Sequence, residues 1–243
     1  MNERDLELAA KLHYSFLEES YSSDFVEVSV KGRPFDSVGG DYSSILPLSK
    51  DRLMVCMCDT VGHGITSALL AARVNTFVLT HMRQNRDPCG LIDSLNSYLF
   101  ERLAGTGIYT TFAVAIFDFT SMTMNYVGAA HPPLLHFKAA SSKVELIKSD
   151  AIFLGVSDPL KSGCPGKINS IASGDRVILY TDGVIEIKNS EGRWFGTGSL
   201  EGFVKDNRER SVDEFNLALL EHISRFASGH FIDDMLVMSI DVK

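Results

Sequence analysis

The sequence predicts an α+β domain, with antiparallel sheet packed on sheet and helices outside. Three observations carry that expectation. Stretches of strand character open and close the chain, two long stretches of helical periodicity interrupt them, and the later strand stretches are joined by connections short enough for hairpins.

Residues 1–20 place Leu6, Ala9, Ala10, Leu12, Phe16 and Leu17 near helical spacing with polar residues between, the pattern of an amphipathic helix. Residues 25–31 alternate in the strand manner, residues 45–48 suggest a second strand, and the continuous apolar run over 52–58 fits a buried one. Two helices are expected next, over 65–83 and 91–103, separated by the breaker Asn85-Arg86-Asp87-Pro88. After Gly105-Thr106-Gly107 the strand pattern returns over 109–117, 122–127, 134–137 and 144–147. A strand over 176–180, a helix over 212–226 and a last strand over 235–240 complete the set.

Composition bounds the function. With 45% apolar residues in a chain of 243, one hydrophobic core is expected. The 23 basic and 31 acidic residues sum to −8 and no Lys/Arg cluster stands out, which argues against nucleic acid as a partner. Apolar stretches break early, as residues 68–72 do at Arg73, far short of the roughly 20 residues of a membrane span. The start Met1-Asn2-Glu3-Arg4-Asp5 has no basic region leading into an apolar one, so a cytoplasmic location is expected. Four cysteines without CxxC pairs fit buried thiols better than a disulfide framework or a zinc site.

Four aspartates sit where strand patterns end or begin. Asp41 follows Gly39-Gly40, Asp59 ends the run 53–58, Asp182 follows 176–180 and precedes Gly183, and Asp233-Asp234 opens the last strand. Taken singly, each reads as a turn residue. Taken together, carboxylates at several strand ends can converge on one sheet edge, where hard oxygen ligands suit Mg²⁺ or Mn²⁺. Two such ions clamp the attacking and leaving oxygens of a phosphoryl displacement.

These motifs resemble the SpoIIE-type (stage II sporulation protein E) branch of the PPM metal-dependent protein serine/threonine phosphatases. The resemblance runs in order through Ser37-Val38-Gly39-Gly40-Asp41-Tyr42, Cys58-Asp59-Thr60-Val61-Gly62-His63-Gly64, Leu95-Asn96 and Tyr109-Thr110-Thr111-Phe112. It continues through Ala129-Ala130-His131-Pro132-Pro133, Leu154-Gly155-Val156, Gly174-Asp175, Tyr180-Thr181-Asp182-Gly183-Val184 and Asp233-Asp234. By that resemblance the fold is an α-β-β-α sandwich. Asp41 is a ligand of one ion, Asp59 bridges both with the Thr60 carbonyl completing the site, and Asp182 and Asp233 are the remaining ligands. Residues 1–20 form a regulatory or dimerisation helix and 21–243 the catalytic domain.

The sequence departs from the family pattern at five positions. Ser44 stands where an aspartate is usual, Asp36 where a basic residue is frequent and Ala130 where glycine is usual, while His13 and Glu18 replace a glutamine and a proline. His63 does not match the offset of the histidine proposed as general acid in the wider group, so it reads as structural, as does His131 before its two prolines. Cys56 and Cys58 share one strand face and read as core thiols.

The expected activity is therefore hydrolysis of phosphoserine or phosphothreonine on a small regulatory protein by two Mn²⁺ or Mg²⁺ ions. The resemblance implies a phosphorylated anti-anti-sigma (STAS-domain) protein as substrate, and hence sigma-factor regulation. It also implies a homodimer or regulatory partner engaging the first helix. A phosphoprotein-binding module without turnover is disfavoured by the intact carboxylates, and a two-metal nuclease by the net charge.

Overall fold

The computed structural model describes residues 3–14, 20–62, 64–84, 87–160 and 166–243, and the chain divides into two units interleaved in sequence. The first contains Asp36–His131 and Lys148–Ser170 with the N-terminal segment; the second contains Glu19–Phe35, Pro132–Ile147 and Ile171–Lys243.

The first unit is built on a five-stranded antiparallel sheet. Its strands are β3 (Tyr42–Ser49), β4 (Arg52–Thr60), β5 (Thr110–Asp118), β6 (Thr123–Ala129) and β9 (Lys167–Ser170), adjacent in that order. The apolar run of β4 has the expected cause. Met54, Cys56 and Cys58 join the core beneath the helices, while Leu53, Val55 and Met57 on the opposite face are equally buried. Helices α2 (Ile65–Gln84) and α3 (Pro88–Leu103) contribute Leu70, Val74, Val78, Leu91, Leu95 and Leu99 to that core. Each of these side chains is worth roughly 1.5–3 kcal/mol on burial. The breaker before α3 is its cap: the Asp87 side chain accepts from the N–H groups of Cys89 and Gly90, and Pro88 occupies the first turn. Buried Asn96 of α3 donates to the Ser157 carbonyl at 2.9 Å and accepts from Gly155 N–H at 3.0 Å, which links the Leu95-Asn96 and Leu154-Gly155 motifs.

The second unit is a six-stranded sheet, β1 (Ser20–Ser22), β2 (Val26–Arg33), β11 (Met235–Val242), β10 (Arg176–Tyr180), β7 (Leu134–Lys138) and β8 (Lys143–Ile147), again antiparallel. Helices α4 (Gly196–Asp206) and α5 (Val212–Phe226) share its core. A capping box between Ser211 and Glu214 starts α5. Asn216 of α5 is fully buried yet satisfied, donating to the Ser29 carbonyl at 2.8 Å and accepting from Ser239 Oγ at 2.6 Å.

The α+β class with antiparallel sheets holds. Strands β1 and β9 and helix α4 went unread, for a physical reason in each case. β1 and β9 have only three and four residues, and Ile168 of β9 is 74% exposed, so no buried face patterns them. Helix α4 carries three glycines, which lower helix propensity. Packing of Leu200 and Val204 overrides that preference. Of the first helix, expected over 1–20, the described part is α1 (Glu3–Tyr14); Phe16, Leu17 and Glu18 lie outside the described residues. Cys56 and Cys58 are buried free thiols, but Cys89 is disulfide-bonded, which corrects the expectation of thiols throughout. Pairing depends on closeness in space, which spacing along the chain does not carry. No helix among the described residues is long and apolar enough to cross a membrane.

Candidate metal centre

Strand β3 begins immediately after Asp41, and Tyr42 pairs with Cys58 in the antiparallel register. Asp41 and Asp59 are therefore the residues next to this last pair, at one end of the sheet. Like charges placed close together repel, so the two aspartates gain from a cation between them. Both carboxylates act electrostatically on the same thiol. The Cys58 thiol is pushed well above its ordinary pKa by burial first, then by Cys56, and further by Asp59 and Asp41. It stays a neutral thiol.

The backbone around Asp59 is tightly fixed. Its carbonyl accepts from Thr110 Oγ1 at 2.7 Å and its N–H donates to Thr111 Oγ1 at 3.2 Å, both from the neighbouring strand β5. Thr60 is 1% exposed, and its hydroxyl lies 3.2 Å from the Gly40 carbonyl and 3.4 Å from that of Ser67 in the first turn of α2. Gly40 is wedged in this corner: a Cβ there would stand 2.4 Å from Thr60 Oγ1, 2.8 Å from Ser67 Cβ and 3.0 Å from the Thr60 carbonyl oxygen. Glycine is required because the loop carrying Asp41 approaches the Thr60 hydroxyl and the Ser67 Cβ too closely for a side chain.

The second unit repeats the device. Asp182 opens a 3-10 turn, Asp182–Val184, directly after β10. On one side Thr181 is locked to β11, its N–H donating to the Leu236 carbonyl and its hydroxyl accepting from Leu236 N–H, each at 3.0 Å. On the other side Gly183 packs so closely that a Cβ would fall 1.9 Å from the Asp234 carbonyl oxygen. The backbones carrying Asp182 and Asp233 thus run in contact. Asp234 is 4% exposed and accepts Phe35 N–H at 2.7 Å, while Asp233 Oδ1 accepts Asp234 N–H at 2.8 Å.

Among the described residues, no three His, Cys, Asp or Glu side chains form one metal-holding group. Each unit instead presents two aspartates, and the first adds a backbone carbonyl. That set fits a hard divalent cation, since Mg²⁺ keeps several of its waters and takes only one or two carboxylates from a protein. His63 lies outside the described residues. Asp36 is an exposed bend residue whose carboxylate accepts Ser37 N–H at 2.6 Å. Ala130 adopts a φ of 49°, which accounts for the glycine usual there. Sequence reading missed one group, the hydroxyls of Thr110 and Thr111 on the Asp59 backbone; the adjacent threonines at the start of β5 were the available signal.

Comparison with known proteins agrees with this architecture. The chain is 24% identical over 244 residues to the phosphoserine phosphatase RsbP of Bacillus subtilis (strain 168), covering 99% of this chain and 58% of that protein. The SiaA-PP2C domain of Pseudomonas aeruginosa superimposes with a TM-score of 0.84 at 18% identity, covering 99% of this chain and 96% of that one. RsbX in complex with magnesium superimposes with a TM-score of 0.70 at 13% identity, covering 93% of this chain and 99% of that one. These likenesses show a common PP2C phosphatase fold. The profile of the family described as stage II sporulation protein E (SpoIIE) matches residues 49–243, and with most of its length so matched the chain belongs to the SpoIIE family.

Proposed function

We propose that this chain is a metal-dependent protein serine/threonine phosphatase. The observation that carries the reading is that Asp41 and Asp59 flank the Tyr42–Cys58 pair beside the Thr60 corner, where Gly40 leaves no room for a Cβ. Membership of the SpoIIE family and the phosphoserine phosphatase activity named for RsbP support it. We assign Asp41, Asp59 and the Thr60 carbonyl as metal ligands, with Asp59 shared by both ions as the family resemblance implies, and Asp182 and Asp233 as the remaining ligands. When bound, two Mn²⁺ or Mg²⁺ ions lower the pKa of a water and neutralise charge on the phosphoryl oxygens. The protein's part is to hold the backbone that carries the aspartates, through the hydroxyls of Thr110 and Thr111 on Asp59, that of Thr181 on Leu236 N–H, and the close contacts of Gly40 and Gly183.

The substrate we assign is a phosphorylated STAS-domain anti-anti-sigma protein in the cytoplasm, placing the enzyme in sigma-factor regulation. We assign residues 1–20 a regulatory or dimerising role. Leu8 and Leu12 of α1 are 56% and 70% exposed, an apolar edge suited to a second copy or a signalling partner. Incubation with Mn²⁺ and phosphorylated STAS proteins from the same genome, followed by mass measurement, tests the reading. Loss of about 80 Da from one protein, abolished by a chelator, is expected from release of the phosphoryl group. Binding without loss of phosphate would indicate a docking module instead.

A further inference from the structure

We propose that Thr111 and His131 form a relay that positions Asp59, a role that rests on the phosphatase reading above. The Thr111 hydroxyl accepts Asp59 N–H at 3.2 Å and stands 2.8 Å from His131 Nδ1. A hydroxyl can give one proton and accept two, so Thr111 Oγ1 can hold Asp59 N–H and His131 Nδ1 at once. The chain of contacts runs from Asp59 through Thr111 to His131.

Each link is held from outside. Thr111 is β-branched, which restricts the torsion that aims its hydroxyl. His131 is fixed from behind. Ala130 takes its left-handed turn with its N–H on the Ala151 carbonyl at 2.8 Å, and the His131 carbonyl accepts from Ser149 Oγ at 2.8 Å. Ser149 in turn lies so close to Gly128 that a Cβ there would meet its Oγ at 2.3 Å. The motif Ala129-Ala130-His131 thus reaches the end of β4 through β5.

Packing alone does not explain the pair. Thr111 and His131 are 9% and 4% exposed, and replacing two buried hydrogen-bonded groups by apolar ones of the same shape is near neutral for stability. What an apolar pair cannot do is hold the Asp59 amide. Thr110 holds the Asp59 carbonyl, so loss of the relay removes one of the side-chain bonds that fix the backbone on either side of Asp59 and loosens the aim of its carboxylate.

The test uses Thr111→Val, Thr111→Ser, His131→Leu and the double variant Thr111→Val/His131→Leu in the full chain. Three quantities are read: hydrogen exchange at the Asp59 amide in metal-free protein, Mn²⁺ affinity by calorimetry, and kcat and KM on a phosphopeptide. Thr111→Val is expected to weaken Mn²⁺ binding and lower kcat by about tenfold with KM unchanged, as loss of a group orienting a metal ligand does. Asp59 exchange should rise by on the order of tenfold, the loss of one hydrogen bond. Thr111→Ser should restore all three. His131→Leu should move them in the same direction, and the double variant should be no worse than the stronger single one, because groups acting in series are not additive. Exchange and Mn²⁺ affinity within about twofold of wild type in folded Thr111→Val or His131→Leu protein would overturn the relay. Wild-type protein that binds no Mn²⁺ overturns the phosphatase reading instead, and the Asp59 exchange rates still decide the relay.

Discussion

Replacing Gly183 by alanine places a methyl carbon 1.9 Å from the Asp234 carbonyl oxygen and 3.0 Å from its carbonyl carbon. An ordinary carbon–oxygen approach is about 3.3 Å, so the two backbones must part by about 1.4 Å. Neither atom can rotate away, since both belong to the main chain. Gly183 is not among the glycines with positive φ, so the effect is steric and not dihedral. Overpacking of this kind costs about 1–3 kcal/mol, which in a chain of this size lowers Tm by roughly 2–12 °C. The larger effect falls on turnover, because the clash lies between the segments carrying Asp182 and Asp233. A misplacement of about 1 Å in a catalytic group costs on the order of a hundredfold in rate. Gly198→Ala and Gly202→Ala in α4 are the controls. Nothing lies within 4 Å of a Cβ at either position, and each should stabilise by about 0.5–1 kcal/mol with turnover unchanged. Thermal unfolding and phosphopeptide turnover across a Mn²⁺ titration give both quantities. Gly183→Ala protein with wild-type Tm and turnover within about twofold would refute the reasoning.

Other perturbations separate the assigned roles. Asp59→Asn should abolish turnover, and Asp182→Asn and Asp233→Asn should each raise the Mn²⁺ needed for half-maximal activity; turnover of all three within about twofold of wild type would sink the assignment. Removing residues 1–20 should shift the Mn²⁺ response more than the limiting rate, and a folded truncation with unchanged metal response and association state would leave that segment a packing element only. His136 is buried and bonded through Nε2 to Asp175 at 2.9 Å. Burial holds its pKa below the usual value against the opposing pull of Asp175. The unfolded chain therefore takes up the proton first, so the stability this group contributes is full above about pH 6.5 and is lost as pH falls toward the folded pKa. His136→Gln should flatten the fall in Tm between about pH 7 and 5; an unchanged slope would show that another group governs it.

The sequence alone was sufficient for the class of the fold and the order of most elements, and it singled out the four aspartates as candidates. These are recorded in local pattern: the all-apolar run of β4, the helical spacing of α2, α3 and α5, and aspartate beside glycine at strand ends. The motif Gly39-Gly40-Asp41 could be recognised without knowing why Gly40 is glycine. Only the tertiary structure supplies that reason, because the atoms that exclude a Cβ belong to Thr60 and Ser67, 20 and 27 positions further along the chain. The same holds for Gly183 against Asp234, for the buried Asn96 that ties α3 to Gly155, and for His131, which the sequence offers only as a turn residue. Hydrophobic periodicity is a property of neighbours in the chain and can be read from it. Close approach and hydrogen bonding across strands are properties of neighbours in space, and they exist only once the register that pairs Asp59 with Thr111 has been set.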